Sequence, residues 1–463
     1  MRVRRVRCFE LITVSVAVLS TTAAAQQSSP SPRRLTLAAA VARADSVATA
    51  VQLSRDSLSL SAVAVLESYG HFLPSVAAGA GTAQEQGTTL LSSTALVPAD
   101  TRFRTAAMAV STSLNLFNGF RDSRTWRASQ ALHDAAGFSL TRARQQVAFD
   151  VTQAFEQTVL DARLVRVATA TLALSRAREA QLTGQVAAGT RAPPDLYRQR
   201  ALTSSDESVL IEAHARETSD RIALLRRLRI EPRTPIEVVA PDDPDARWLS
   251  DTAISVDSLT RVALDARPDL QVAADRQSAA GLGVDIARGG YLPRVSLGVD
   301  LFTSARVFDW ERLGAVNQLT VPQSGMLDQL GRQRAGLLSL AITWPLFDRY
   351  ATRFDVQRSQ VTLHREQLAA EDLRLRVSGE VQQAGDLYVA AVQQWRSARM
   401  GIEAATMAFD AVTARYDSGL ATFVDVLSAQ AALTRAQALL EQAVANVRLQ
   451  RAVLGYVTGT SMR

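Results

Sequence analysis

Two aspartates occupy matched places in this 463-residue sequence: Asp195 stands six residues after Gly189, and Asp425 six residues after Gly419. Each follows a long proline-free run and a short turn-forming stretch. An aspartate so placed has two kinds of chemistry open to it. In a first helical turn it favours the helix dipole, and Thr422-x-x-Asp425 has the spacing of a capping box. Gathered around a symmetry axis by copies of the chain, the same carboxylates would form a constriction that attracts cations. Beside them lie Arg191, Tyr416 and Asp417, a cation, an aromatic ring and an anion. Gly189 and Gly419 suit the turns themselves, and Pro193 and Pro194 suit a helix start.

Other chemistry is sparse. His71, His133, His214 and His364 are isolated, without paired spacing for a metal or a nearby cysteine. Met400 and Met407 stand seven apart and read as core filler. Gly281-x-Gly283 lacks the strand-turn-helix context of a dinucleotide loop. No enzyme chemistry, cofactor or metal is expected.

The elements that must position the turn residues are long helices. From Val426 an apolar residue recurs every seventh place, at Leu433, Leu440, Val447 and Leu454, with Ala429, Ala436 and Ala443 between them. That is a narrow coiled-coil seam. Upstream, Phe347 to Arg415 contains no proline, so the chain reads as a helical hairpin with its tip at 417–422. A second hairpin has its tip at 188–194, and a run such as 121–187 would be about 100 Å long at 1.5 Å per residue.

The hairpins belong to an internal duplication. Phe72-Leu73-Pro74 matches Tyr291-Leu292-Pro293 at an offset of 219, and Leu116-Phe117-Asn118-Gly119-Phe120 matches Leu346-Phe347-Asp348-Arg349-Tyr350 at 230. The second copy therefore carries eleven extra residues between its paired strands, the mark of an exposed loop. The copies are assigned to 26–230 and 252–463. Residues 231–251, with Pro232, Pro235, Pro241 and Pro244, read as a linker.

Each copy also contains two stretches of period two, expected as strands near 72–84, 105–117, 292–303 and 337–347. Leu338, Leu340, Ile342, Trp344 and Leu346 alternate with small or polar residues, as do Val295, Leu297, Val299 and Leu301. About nine to eleven such residues cross a bilayer as a strand. Phe72, Tyr291, Phe117, Phe120, Phe347 and Tyr350 fall at the strand-to-helix junctions, where an interfacial aromatic girdle belongs. Four strands cannot close a barrel in lipid, so the barrel must be shared between subunits.

Residues 1–25 have the form of a secretory signal: Arg2, Arg4, Arg5 and Arg7, then an apolar stretch from Leu11 to Leu19, then Ala23-Ala24-Ala25. The single cysteine, Cys8, precedes the apolar stretch, which argues against lipid attachment. Removing the leader leaves 47 Arg against 44 Asp and Glu, with no Lys, a net charge of +3. So balanced a surface gives no support to nucleic-acid binding.

Taken together, the duplication, the two strand entries, the exit Pro345-Leu346-Phe347-Asp348 and the tip Arg415-Tyr416-x-x-Gly419-x-x-x-x-x-Asp425-Val426-Leu427 resemble the TolC-type outer-membrane efflux proteins. The resemblance covers essentially the whole mature chain. It implies a mixed α/β membrane protein: a homotrimer with a twelve-stranded transmembrane β-barrel, four strands from each chain. A periplasmic α-helical tunnel would continue that barrel. It further implies an outer-membrane location with lipid around the barrel, docking to a periplasmic adaptor and an inner-membrane transporter, and passive conduction in efflux or type I secretion. In that family Tyr416 falls on a tip tyrosine and Asp425 on a ring aspartate, with Asp195 at the matching place, so the resemblance implies a pore constriction at Asp195 and Asp425 and a tip latch or adaptor-docking role for Arg191, Tyr416, Asp417, Gly189 and Gly419. The chain departs at Ala421, where some members carry an Arg, and at Ser428, in place of a second ring aspartate. The rival expectation is a periplasmic coiled-coil scaffold without channel activity.

Overall fold

Period-two stretches make one sheet, and the proline-free runs make helices of unusual length. The computed structural model describes residues 33–91, 97–240, 255–308 and 324–460; the expected signal at 1–25 lies outside them. The first half contains β1 (Arg33–Leu35), α1 (Leu37–Val47), α2 (Thr49–Gly70), β2 (Ser75–Leu91), β3 (Val97–Phe117), α3 (Arg121–Ala187) and α4 (Pro193–Arg227). The second contains β4 (Ile236–Val238), α5 (Val256–Ala266), α6 (Pro268–Arg288), β5 (Arg294–Phe308), α7 (Met326–Arg332), β6 (Arg334–Thr343), α8 (Ala351–Asp417) and α9 (Phe423–Thr458). α3 and α8 have 67 residues each, and α4 and α9 return along them with 35 and 36.

The sheet runs β2-β3-β5-β6, antiparallel throughout. Its register decides which side chains share a face, because directly opposed residues point the same way. Leu114, Leu297 and Leu340 are in line across three strands, and so are Thr112, Val299 and Leu338. The alternate row holds Ser113, Gly298 and Ser339. One face is therefore apolar and the other small or polar. On the apolar face Leu338, Leu340 and Ile342 are 71%, 62% and 69% exposed. A register shift between Asn115 and Phe117 sets Phe117 opposite Val295, so a bulge turns this aromatic onto the apolar face. β2 and β6 are the two edges of the sheet.

The strands differ from their expected bounds. β2 and β3 extend past the apolar alternation through polar pairs such as Gln84 with Arg104 and Gln86 with Arg102, since ladder hydrogen bonds need no apolar side chain. At the other end β2 starts only after Pro74, and β6 stops at Thr343, ahead of Trp344 and Pro345. The expected linker at 231–251 carries β4, which pairs in parallel with β1 and buries Ile236 beside Leu35; residues 241–254 lie outside the description. Of the connection between β5 and β6, residues 309–323 lie outside it too. The rest is not free loop: α7 folds back on β5, with the Gln329 side chain accepting from the Arg306 amide at 2.9 Å and the Thr303 hydroxyl donating to Leu330.

Near the sheet, α2 packs on α3, α3 on α6 and α6 on α8, the order of the strands that those helices adjoin. Further along, one apolar core gathers Val51, Val151, Phe155, Leu224 and Leu228, and another gathers Val377, Val381, Val392, Val447 and Leu454. Beside the second core Arg267, almost fully buried, forms a two-pronged pair with Asp269 and reaches Glu380 at 2.5 Å. Met400 and Met407 are not core filler: they are 64% and 71% exposed on α8. Among the described residues no helix is long and apolar enough to cross a membrane.

Candidate functional site

The far ends of the hairpins meet in one small cluster, and the same turn ends both outgoing helices. Thr190 N–H donates to Gln185 O, and Leu420 N–H to Arg415 O, at 2.9 and 2.8 Å. Both closures require a left-handed residue, and glycine supplies it, with φ of 74° at Gly189 and 77° at Gly419. Beneath the turns Leu182, Leu196, Tyr416, Phe423 and Val426 form an apolar knot between the two hairpins.

Arg191 and Tyr416 come together in this knot. The guanidinium lies 4.2 Å from the centre of the Tyr416 ring and donates to the Tyr416 carbonyl at 3.1 Å. The Arg191 latch is thus made on an aromatic face and a backbone oxygen, and Asp417 is exposed beside it. Tyr416 itself is 6% exposed and packs on Phe423 at 5.6 Å. Burial pushes its phenol up, with Arg191 opposing. Its hydroxyl has no hydrogen-bond partner among the described residues.

The matched aspartates do different work. Asp425 accepts from the Thr422 amide at 2.9 Å and from the Thr422 hydroxyl at 2.7 Å, while its own amide donates back to that hydroxyl. This is a complete capping box, and those hydrogen bonds hold the Asp425 carboxyl below its ordinary range. Asp195 sits in the first turn of α4 behind Pro193 and Pro194, where Ala192 offers no side-chain cap, and it pairs with Arg198 at 3.4 Å.

Sequence reasoning missed a buried polar layer above the knot. Ser175 on α3 donates to Asp206 at 2.5 Å, its carbonyl accepts from Gln199, and its hydroxyl accepts from Gln430 of α9 at 3.0 Å. Ser175, Gln199 and Gln430 are 0%, 0% and 3% exposed. The signal was present: Leu196, Gln199 and Thr203 have core spacing, yet two of the three are polar. Higher on the same hairpin Asp161 is 5% exposed. Burial, then a hydrogen bond and charge from Asp220, push its carboxyl up to about 6.

At the opposite end, Phe117 meets Phe120 edge-on at 5.1 Å and Phe347 meets Tyr350 edge-on at 5.6 Å. Phe120 and Tyr350 both adopt left-handed backbone, φ 63° and 64°, immediately before α3 and α8. Such a conformation is strained for a residue with a side chain. It is supported by Asn118 and Asp348, which accept from the amides of Asp122 and Thr352 at 3.3 and 2.8 Å. Phe72 and Tyr291 stand at the entries to β2 and β5, both substantially exposed. Tyr291 accepts through its carbonyl from the Trp344 indole.

Residues 259–460 match the outer membrane efflux protein family. Protein CyaE of Bordetella pertussis is 24% identical over 329 residues, an alignment spanning 71% of this chain and 64% of that protein's length. The fold is shared with the outer membrane protein VceC of Vibrio cholerae, at a TM-score of 0.74 and 16% identity over 92% of this chain and 97% of the other. It is shared likewise with the CmeC outer membrane channel of Campylobacter jejuni, at 0.75 and 15% over 91% and 85%.

Proposed function

From the premise that this chain belongs to the TolC-type outer membrane efflux proteins, we propose that it is the exit duct of an efflux or type I secretion system. The single observation that carries this reading is the sheet: four strands with an apolar row exposed on one face, both edges unclosed within the chain, and helices of 67 residues leading away. An open edge is intolerable in lipid and an exposed apolar face is intolerable in water. Three copies joined edge to edge, β6 to the next β2, remove both problems. The product is a twelve-stranded barrel with lipid outside and water inside.

In this reading the two sequence halves are a true duplication, and the chain is exported by its leader without lipidation. Phe72, Tyr291, Phe117, Phe120, Phe347 and Tyr350 sit at the membrane interface. The helices form a periplasmic tunnel about 100 Å long. Its far end, with Gly189, Arg191, Tyr416, Asp417 and Gly419, docks a periplasmic adaptor that delivers cargo from an inner-membrane transporter. Asp195 and Asp425 from three subunits ring the entrance and favour cations.

The membrane assignment is tested by charge placement. Ile342→Arg on the apolar face should cost about 2–4 kcal/mol per subunit and sharply lower the amount of protein in outer membranes, whereas Ser296→Arg on the wet face should be tolerated. Equal yields, with release of the wild-type protein by carbonate, would overturn the duct and leave a periplasmic scaffold. The entrance is tested by recording in planar bilayers: Asp195→Ala with Asp425→Ala should abolish cation selectivity, and unchanged selectivity would assign both residues to their helices alone.

A further inference from the structure

Followed away from the long helices, the apolar face of the sheet ends in arginine. On β6 the residues of that face run Ile342, Leu340, Leu338, Gly336 and then Arg334; on β3 they run from Leu114 through Val110, Met108 and Ala106 to Arg104. β2 and β5 contribute Gln84 and Val307 at the level of Arg104. The first charged positions met on this face are therefore both cations. Arg104 and Arg334 are exposed, and among the described residues neither makes an ion pair. Phe103 and Phe302 share the opposite face with Ser113 and Gly298, so this end of the apolar face carries guanidinium groups where the helix end carries aromatic rings.

The spacing matches one bilayer. Ile342 and Arg334 are eight residues apart, about 27 Å along the strand at about 3.4 Å per residue and about 20 Å in height at a tilt of about 40°. The apolar band of an outer-membrane barrel is about 25 Å tall. With Trp344 and Phe347 at its inner rim, the Arg334 guanidinium stands among the headgroups of the outer leaflet. α7 makes a ledge at the same level. The Thr303 hydroxyl, which faces the same way as Leu301, donates to the Leu330 carbonyl at 2.7 Å, and Ala305, next on that face, is 2% exposed where α7 packs on β5. Leu327 of α7 is 84% exposed, and Arg332 is paired with Asp328 at 3.0 Å. Such a helix, leucine outward and charges balanced, suits a membrane surface.

We propose that Arg334 and Arg104 bind an acylated lipid of the outer leaflet that carries two phosphate groups, with its chains along Leu301, Leu338 and Leu340 and its headgroup against the α7 ledge. This rests on the membrane reading of the sheet and gives one part of the lipid contact a headgroup chemistry. A guanidinium is always charged and meets a phosphate through two parallel hydrogen bonds. Arg334 lies opposite Thr303 and Arg104 opposite Val307, so the two are offset by four residues and two strands, about 17 Å between backbones. That is too far for one phosphate and suits two, borne at the two ends of one headgroup.

Native mass spectrometry of the detergent-purified protein, stripped of lipid, reads the site with three probes: a hexa-acyl disaccharide lipid with two phosphates, its monophosphoryl form, and phosphatidylethanolamine. The two-phosphate lipid should bind about tenfold or more tightly than phosphatidylethanolamine, with the monophosphoryl form between them. Arg334→Gln and Arg104→Gln should each bring the two-phosphate lipid to the monophosphoryl level, and the double variant should bind all three probes alike. Arg349→Gln, which removes an exposed arginine at the helix end of the sheet, should change nothing. The mass of each intact complex reports whether the variant has assembled. Wild-type protein that stays in outer membranes through carbonate extraction overturns the lipid site, and leaves the duct standing, if it binds the three probes alike, keeps its preference in the double variant, or loses as much with Arg349→Gln as with Arg334→Gln. Wild-type protein released by carbonate overturns both.

Discussion

Set side by side at an offset of 230, the two hairpins are built to one length with opposite chemistry. Along the second seam stand Val426, Leu433, Leu440, Val447 and Leu454; along the first stand Leu196, Thr203, Leu210, Glu217 and Leu224. Ser175, Gln199 and Asp206, joined by hydrogen bonds in the first hairpin, correspond to Ala405, Ala429 and Ala436 in the second, and the buried Asp161 corresponds to the buried Ala391. Packing runs along the second pairing, whereas in the first a hydrogen-bonded polar layer stands between the tip knot of Leu182 and Leu196 and the apolar core of Val151, Phe155 and Leu224. A satisfied polar layer specifies register, while each of its members is costly to leave unpaired. The second tip likewise closes on itself through the Thr422–Asp425 box, and the first, uncapped at Ala192, is held by reaching across to Tyr416.

If the second tip supplies the platform and the first only leans on it, the largest effect should come from the platform. Tyr416→Ala should destabilise the tips by about 3 kcal/mol, through loss of a buried ring and of the Arg191 stacking surface. Hydrogen exchange of the tip amides would register it in both hairpins. Tyr416→Phe removes a buried hydroxyl that has no partner among the described residues and should be neutral or slightly stabilising. A Phe variant as damaged as the Ala variant would show that the hydroxyl, not the ring, joins the tips.

The next effect separates the hairpins by pH. The Asp161 carboxyl is pushed up to about 6, first by burial and then by Asp220. A raised acid binds its proton more tightly in the folded chain than in the unfolded one. Its favourable contribution is therefore complete below the ordinary carboxylate pKa and is lost as pH rises toward 6. Asp161→Asn should flatten this loss and leave α3 and α4 more stable at pH 7, by thermal unfolding. Ala391→Val, at the corresponding buried place, should leave the wild-type pH profile unchanged, because Asp161 remains. Equal pH profiles for wild type and Asp161→Asn would remove the carboxyl pair from the account.

A smaller contrast concerns the polar layer. Ser175→Ala takes a donor from Asp206 and an acceptor from Gln430, both bonded to it at 3.0 Å or less, and should cost about 2 kcal/mol. The reciprocal Ala405→Ser should change stability by about 0.5 kcal/mol or less. Comparable losses at the two positions would mean that the first hairpin is held by packing after all.

That chemistry also explains what was legible in the sequence. The second hairpin announced itself because its seam is apolar at a constant spacing. The first could be placed only through its proline-free run and the Gly189 turn, since Thr203 and Glu217 break the pattern that periodicity detects. The glycines were readable because a left-handed turn admits few other residues, and the apolar face of the sheet because period two survives any register. The polar extension of β2 and β3 was not readable: backbone ladders leave no mark on side-chain hydropathy. Nor was the Arg191–Tyr416 contact, which joins residues 225 apart and depends on how two tips pack.

The smallest expected effect belongs to the cap itself and decides how far the two tips differ. Thr422→Ala removes the hydroxyl that both donates to and accepts from Asp425 and should cost about 1 kcal/mol, seen as faster exchange at the start of α9. Ala192→Thr should recover little at the start of α4, where Pro193 and Pro194 already hold the first turn. The Asp425 carboxyl is held low by its bonds to Thr422. Its contribution is therefore present above the ordinary carboxylate pKa and disappears as pH falls through its own lowered value. Acid should loosen the start of α9 in the wild type, and Asp425→Asn should make that segment indifferent to pH. Loosening that persists unchanged in Asp425→Asn would assign the acid response to another carboxylate.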